Sequence, residues 1–131
     1  MICYEVIFPQ SVQSAARRPD LVATITNDGW FGTTTGPRQH YHQARVRAVE
    51  MGVPMLRASS NGISALLDGH GRELNRLDLN AVGTLDVSPP PALTPPIYAR
   101  FGDWIFLTLS SAALLCLFGR NRRNSMQPFT E

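Results

Sequence analysis

Short β-branched apolar runs alternate with segments of helical spacing along the first eighty-odd positions of this 131-residue chain. Residues 1–3 read as the end of a strand. Pro9 suits a first helical turn, and residues 10–18 continue that helix until Arg18-Pro19 breaks it. Residues 21–26 (LVATIT) form a short apolar run, predicted as a buried strand. Residues 27–37 (NDGWFGTTTGP) are a loop by composition. Helical spacing returns at 38–51, with Tyr41, Ala44, Ala48 and Met51 on one stripe and Gly52 as a stop. Residues 53–59 read as a strand and Asn61-Gly62 as a tight turn. Residues 63–67 and 72–77 form a hairpin around Asp68-Gly69-His70-Gly71, and 82–87 is one more strand. Helices interleaved with apolar strands predict an α/β layer fold.

The pattern changes at residue 88. Residues 88–96 (SPPPALTPP) hold five prolines in nine positions, which favours an extended spacer. Trp104 to Phe118 is an uncharged apolar run of fifteen residues. At about 1.5 Å per residue it covers roughly 22 Å, slightly short of a usual span. Snorkelling arginines would narrow the gap. The expected organisation is a folded part at 1–87, a spacer at 88–103, a transmembrane helix at 104–119 and a cytoplasmic tail at 120–131. A buried core helix is the alternative for the apolar run.

Charge supports that division. Net charge is +2, and residues 1–103 carry nine Arg against nine acids. The excess lies in Arg120, Arg122 and Arg123 beside the apolar run, as at the cytoplasmic end of a membrane helix. This would place the folded part on the opposite side. The absence of a basic patch on the folded part argues against a nucleic-acid partner. All twelve basic residues are Arg, so chemistry that needs a lysine cannot be completed by these residues alone.

Cys3 is the candidate nucleophile. A thiol between a strand end and a helix start gains from helix amides, which favour the thiolate. Glu5 lies two residues on. The bland alternative is a small buried hydrophobe. Cys116 lies in the apolar run, too far along the chain to suggest a disulfide framework. His40, His42 and His70 read as surface histidines, and no metal site is expected. Trp30 and Phe31 in a Gly-rich loop suit a lipid-facing surface. Asn27 and Asp28 are expected to fix the loop backbone by side-chain hydrogen bonds.

Ile2-Cys3-Tyr4-Glu5 followed by Phe8-Pro9 resembles the cysteine motif of the nitrilase superfamily. Thr26-Asn27-Asp28-Gly29-Trp30-Phe31-Gly32 resembles the loop of one branch, the apolipoprotein N-acyltransferases. Gln39-His40, residues 44–50, Pro54, Arg57 and Asn61-Gly62 match the same branch in order, as do Leu93-Thr94-Pro95, residues 98–100 and 102–104. The resemblance covers residues 1 to about 123.

That resemblance implies an α/β fold, the C-terminal part of a nitrilase-like αββα sandwich followed by one transmembrane helix. It implies an enzyme of the bacterial inner membrane with its folded part periplasmic. Such enzymes move an acyl chain from a phospholipid to the N-terminal diacylglyceryl-cysteine of a lipoprotein, through a cysteine thioester and with no cofactor. Cys3 matches the nucleophile; Tyr4, Glu5 and Glu50 match supporting residues; Asn27, Asp28, Trp30 and Phe31 match a substrate or lipid loop. The family's glutamate base and lysine lie upstream of the cysteine motif, so the chain is expected to be a fragment, inactive alone. Two alternatives stay open: a membrane-anchored amidase of the same superfamily, and a non-catalytic tethered module with Cys3 merely packed.

Overall fold

The structure, a computed structural model, describes residues 1–13 and 17–124, with side chains through residue 118. The chain divides into two units, Met1–Ala99 and Arg100–Glu131. The first unit begins with a 3-10 turn, Cys3–Ile7, and a short helix α1, Gln10–Gln13. It continues with β1 (Val22–Asn27), a 3-10 turn at Gly29–Phe31, helix α2 (Gly36–Met51), and strands β2 (Met55–Ser60), β3 (Ser64–Leu67) and β4 (Glu73–Leu77). Helix α3 (Ile97–Phe101) follows, and α4 (Trp104–Asn124) lies in the second unit.

The strands form one sheet in the order β1-β2-β3-β4. β1 and β2 are parallel, with Val22 opposite Met55 and Asn27 opposite Ser60. Parallel neighbours need a crossover, and α2 supplies it. β2–β3 and β3–β4 are antiparallel, as a hairpin requires. Alternation decides the faces. Val22, Thr24 and Thr26 are buried while Ala23, Ile25 and Asn27 are exposed. The buried set joins α2 in one core with Tyr41, Ala44, Ala48, Met51, Met55 and Leu67. The predicted stripe on α2 is thus its packed face. Each large apolar side chain buried there contributes about 1.5–3 kcal/mol. Among the described residues this is one helical layer on one mixed sheet.

Gly52 ends α2 in the left-handed region at φ 62°, with its N–H bonded to the Ala48 and Val49 carbonyls. That is the usual glycine stop. Arg18 reaches the same corner. Its guanidinium donates to the carbonyls of Met51, Gly52 and Leu93 at 2.7–3.0 Å. Leu93 N–H returns a bond to Gly52 O at 2.8 Å. The Pro-rich segment is therefore tied to the end of α2 rather than running free.

Several expectations change. Of the helix expected through residue 18, Gln10–Gln13 is helical and Arg17 and Arg18 are not, while residues 14–16 lie outside the described residues. The strand expected at 82–87 does not form. Gly83 interrupts it, no neighbouring strand supplies a ladder, and Val82 is fully exposed. Among the described residues no helix is long and apolar enough to cross a membrane, so the span expected at 104–119 finds no support. Its uncharged stretch is shorter than the ~30 Å hydrocarbon core, Thr108, Ser110 and Ser111 dilute it, and Arg120 closes it. The expected orientation, folded part periplasmic and tail cytoplasmic, rested on that span. The tail at 120–131 lies outside the residues whose side chains are described.

Replacing Arg18 by Ala should strip the Met51 and Leu93 carbonyls of this partner and leave Gly52 O with the Leu93 N–H alone. We expect a loss of about 1–3 kcal/mol and faster hydrogen exchange at the Leu93 amide. Unchanged exchange at Leu93 would refute the clamp.

Candidate active site

The chain start is held as an extra strand-like segment beside β1. Met1 O accepts the Ile25 N–H at 3.1 Å, the Met1 ammonium donates to Ala23 O at 2.9 Å, and Ile2 bridges Ile25 in parallel. Three parallel segments therefore deliver their carboxyl ends to one edge of the sheet. There they place Cys3, Asp28 and Ser59. This edge is where ligands bind in open α/β sheets.

Cys3 is exposed and has φ 50°. A non-glycine residue in that region costs about 1–3 kcal/mol and persists only where its surroundings enforce it. Here they do. The segment before it is paired to β1, Val6 behind it is fully buried, and the Glu5 carboxylate accepts the Ile2 N–H at 2.8 Å. Glu5 thus acts as a local brace. Cys3 heads a five-residue 3-10 turn, so the expected support from a long helix does not apply.

The end of β1 separates two side chains that the sequence had grouped, an amide and a carboxylate. Asn27 Oδ1 accepts the Gly29 N–H at 3.0 Å, the expected backbone brace. Asp28 is different. It is buried, and its carboxylate meets side chains: His40 Nδ1 at 2.7 Å, Arg57 Nη2 at 2.7 Å, Ser59 Oγ at 2.9 Å and Thr26 Oγ1 at 3.3 Å. Burial pushes the Asp28 carboxyl up. The His40 hydrogen bond, the Arg57 charge and the bonds from Ser59 and Arg57 outweigh it and hold the carboxyl below its ordinary value. An ionised carboxylate only accepts, so His40 Nδ1 carries the proton and donates. The 3.3 Å approach of Arg57 Nη2 to the same nitrogen is then a close contact without a hydrogen bond. Arg57 Nε donates onward to Ile63 O at 3.2 Å.

His40 was expected at the surface and is instead buried on α2; His42 and His70 are exposed, as expected. His40 also joins two aromatic rings. Its centroid is 5.5 Å from Tyr4 and 5.7 Å from Phe31, and those two rings are 6.4 Å apart. Beside them lies a cavity of about 290 Å³, bounded among others by Tyr4, Phe31, Gln39, His40 and Gln43. Tyr4, the loop after β1 and α2 therefore meet at one place. Trp30 points outward at 86% exposure. Glu50 is not brought to this cavity. It pairs with Arg47 at 2.9 Å, ten residues beyond His40 and so about 15 Å farther along α2.

His40, Arg57 and Ser59 were missed as site residues by reasoning on spacing. The usable signal was the polar residue His40 beside the apolar stripe of α2, and Arg57 at an inward position of a strand between Met55 and Ser59. A buried charge implies a buried partner, and Asp28 was the acid free to serve.

A profile described as Carbon-nitrogen hydrolase matches residues 1–93. The chain is 49% identical over 115 residues to an apolipoprotein N-acyltransferase of Bradyrhizobium diazoefficiens, covering 88% of this chain and 21% of that protein. It is 42% identical over 122 residues to one of Rhodopseudomonas palustris, covering 93% of this chain and 23% of that protein. The chain thus spans about a fifth to a quarter of the length of these relatives. A solved amidase from Nesterenkonia sp. superposes with a TM-score of 0.51 at 25% identity, covering 76% of this chain and 38% of that one.

Asp28→Asn should leave Arg57 as a buried uncompensated charge and cost about 3 kcal/mol or more. The sign with pH follows from the depressed carboxyl. Its stabilisation is present above the unfolded carboxylate value near about 4 and is lost as pH falls below it, through the folded value. Thermal unfolding from neutral pH down to about pH 3 should therefore fall steeply for the parent and less steeply for Asp28→Asn. Parallel curves would refute the assignment. A Cβ at Gly62 would overlap the Asp28 carboxylate and the Ser59 hydroxyl. Gly62→Ala should cost about 1–3 kcal/mol through this cluster, and a neutral effect would show that the packing is looser than drawn.

Proposed function

The chain belongs to the carbon-nitrogen hydrolase family, and from that membership we propose that Cys3 is the nucleophile of an acyl transfer from a phospholipid to the amine of a lipoprotein's N-terminal cysteine. The observation that carries the reading is Cys3 itself. It is exposed on a strained backbone, at the carboxyl ends of three parallel segments, and its chain neighbour Tyr4 lines a cavity. The relatives at 49% and 42% identity support the lipoprotein acceptor.

In this reading the Cys3 thiolate attacks the carbonyl carbon of a lipid ester. The C–S bond forms, the ester C–O bond breaks, and the lysolipid alkoxide leaves with a proton. The acceptor amine then attacks the thioester carbon. The C–N bond forms, the C–S bond breaks, and the amine's surplus proton restores the thiol. Splitting one transfer into two steps is the gain of covalent catalysis. A base for the thiol and a cation for the oxyanion complete such chemistry. The sequence has no lysine, so these 131 residues do not supply the lysine that the resemblance implies. Tyr4 and Glu5 shape the elbow, Glu50 supports α2, and Trp30 offers an exposed apolar face to lipid. A phospholipid donor and a lipidated acceptor place the reaction at the bacterial inner membrane.

A second reading is supported by the Nesterenkonia amidase: water in place of the amine as the group that receives the acyl chain. The two differ in product, an N-acyl peptide against a free fatty acid.

The test uses a chimera in which the 115 matched residues replace the corresponding segment of the Bradyrhizobium relative. With phospholipid vesicles and a diacylglyceryl-cysteinyl peptide, it should form an acyl adduct on the Cys3 peptide by mass spectrometry and release N-acyl peptide. Cys3→Ser should lose transfer by more than about a thousandfold. Full transfer by the serine variant, or fatty acid as the sole product, would overturn the proposal.

A further inference from the structure

The turn that carries Cys3 is anchored at both ends and open in the middle. Ile2 bridges β1 before it, and Val6 is fully buried behind it. Cys3, Tyr4 and Glu5, between those anchors, are exposed. Glu5 folds back on the Ile2 N–H at 2.8 Å, a bond within the turn itself. Tyr4 instead reaches the body of the fold. Its ring centroid lies 5.5 Å from that of His40 and 6.4 Å from that of Phe31, both within ring-contact distance. The φ of 50° at Cys3 persists only while its surroundings enforce it.

His40 is fixed from two directions. Its Nδ1 donates to Asp28 at 2.7 Å, and Asp28 is pinned in turn by Arg57 at 2.7 Å and Ser59 at 2.9 Å. Its ring meets Tyr4 and Phe31. Phe31 has little freedom of its own: a Cβ at Gly36 would overlap its ring, so only a bare start of α2 receives it. An asparagine at position 40 could keep the hydrogen bond without the ring. A phenylalanine could keep the ring contacts without the hydrogen bond. Histidine supplies both in one side chain.

We propose that His40 is a positioning residue for Cys3. Asp28 orients the imidazole, the imidazole seats the Tyr4 ring, and the seated ring holds the Cys3 backbone at the angle from which its thiol meets an acyl carbonyl. The proposal rests on the acyl-transfer reading for the reaction, but not for the geometry. A misplacement of about 1 Å can cost about 10²-fold in rate, so a residue that acts through a ring contact can still govern turnover.

Geometry is read first, without turnover. In the full chain in neutral detergent, labelled with ¹³C-cysteine and assigned with Cys3→Ser, the Cys3 Cα and Cβ resonances report its backbone angle, and Cys116 is the internal reference. His40→Asn, His40→Phe and Tyr4→Leu should each move the Cys3 resonances toward those of a negative φ and leave Cys116 unchanged. Tyr4 is 54% exposed, so Tyr4→Leu keeps the core intact and reads the contact even where a His40 variant fails to fold. Turnover is read in the chimera. Each variant should lower the rate of acyl-adduct formation at saturating phospholipid by about ten- to a hundredfold, with half-saturation unchanged. Alkylation of Cys3 by iodoacetamide, which needs the thiol but no aligned carbonyl, should keep its rate. Tyr4→Leu combined with His40→Asn should lose no more than the worse single variant, because both break one path. Unmoved Cys3 resonances, additive losses, a loss confined to half-saturation, or alkylation that falls in parallel would overturn the proposal. Adduct formation at the full rate by both His40→Phe and Tyr4→Leu would sink the positioning and leave the acyl-transfer reading standing. Moved resonances beside a parent chimera that forms no adduct would sink the acyl-transfer reading and leave the positioning standing.

Discussion

A single buried carboxylate holds this molecule's working edge together. Asp28 leaves the sheet at the end of β1, yet its four side-chain partners come from β1, α2 and β2. In a low-dielectric interior such a group is stabilising only when every neighbour is in place. That condition makes the cluster a geometric constraint. It fixes the end of β1 against the end of β2, where Asp28 N–H also bonds Ser60 O at 3.0 Å. It also fixes His40, and through that ring Tyr4 and Phe31. Glycine at position 62 follows from the same constraint, because any Cβ there would occupy the space of the carboxylate.

Cys3 depends on this arrangement at one remove. Its backbone is set by pairing with β1 on one side and by burial of Val6 on the other. Tyr4 connects the two systems, since it follows Cys3 in the chain and lies over His40. A change in the carboxylate cluster would therefore reach Cys3 through a ring contact and a strand pairing, not through a hydrogen bond to the thiol. Rigid elements meeting at the carboxyl ends of parallel strands give a strained residue the support that it needs.

Much of the fold was legible because local signals agreed with tertiary packing. The stripe Tyr41, Ala44, Ala48 and Met51 is the buried face of α2, Gly52 is its left-handed stop, and the turn at residues 68–71 joins a real hairpin. The failures have a common cause. Residues 82–87 alternate like a strand, but a strand exists only with a partner, which the run itself cannot reveal. The apolar run at 104–118 has composition but not length. The site divided in the same way. Cys3 was visible from its motif, whereas His40 and Arg57 looked like solvated polar residues because burial of a charge depends on a partner far along the sequence. Asp28 and Arg57 are twenty-nine positions apart.

Trp30 and Phe31 show what the cluster leaves free. They are adjacent and chemically alike, and both were read as one lipid-facing pair. The 3-10 turn Gly29–Phe31 rotates them apart: Phe31 packs on His40 and Tyr4, and Trp30 stands at 86% exposure. The inner ring can shape only the small cavity. That cavity has room for a head group but little for a long acyl chain, which gains its binding energy from extended apolar burial. An acyl chain bound to Cys3 would have to run outward, along surface that this cavity does not enclose. Trp30, on the outer side of the same turn, is the large apolar side chain of the loop that remains unburied. The turn therefore separates a packed ring on the inside from an open one on the outside.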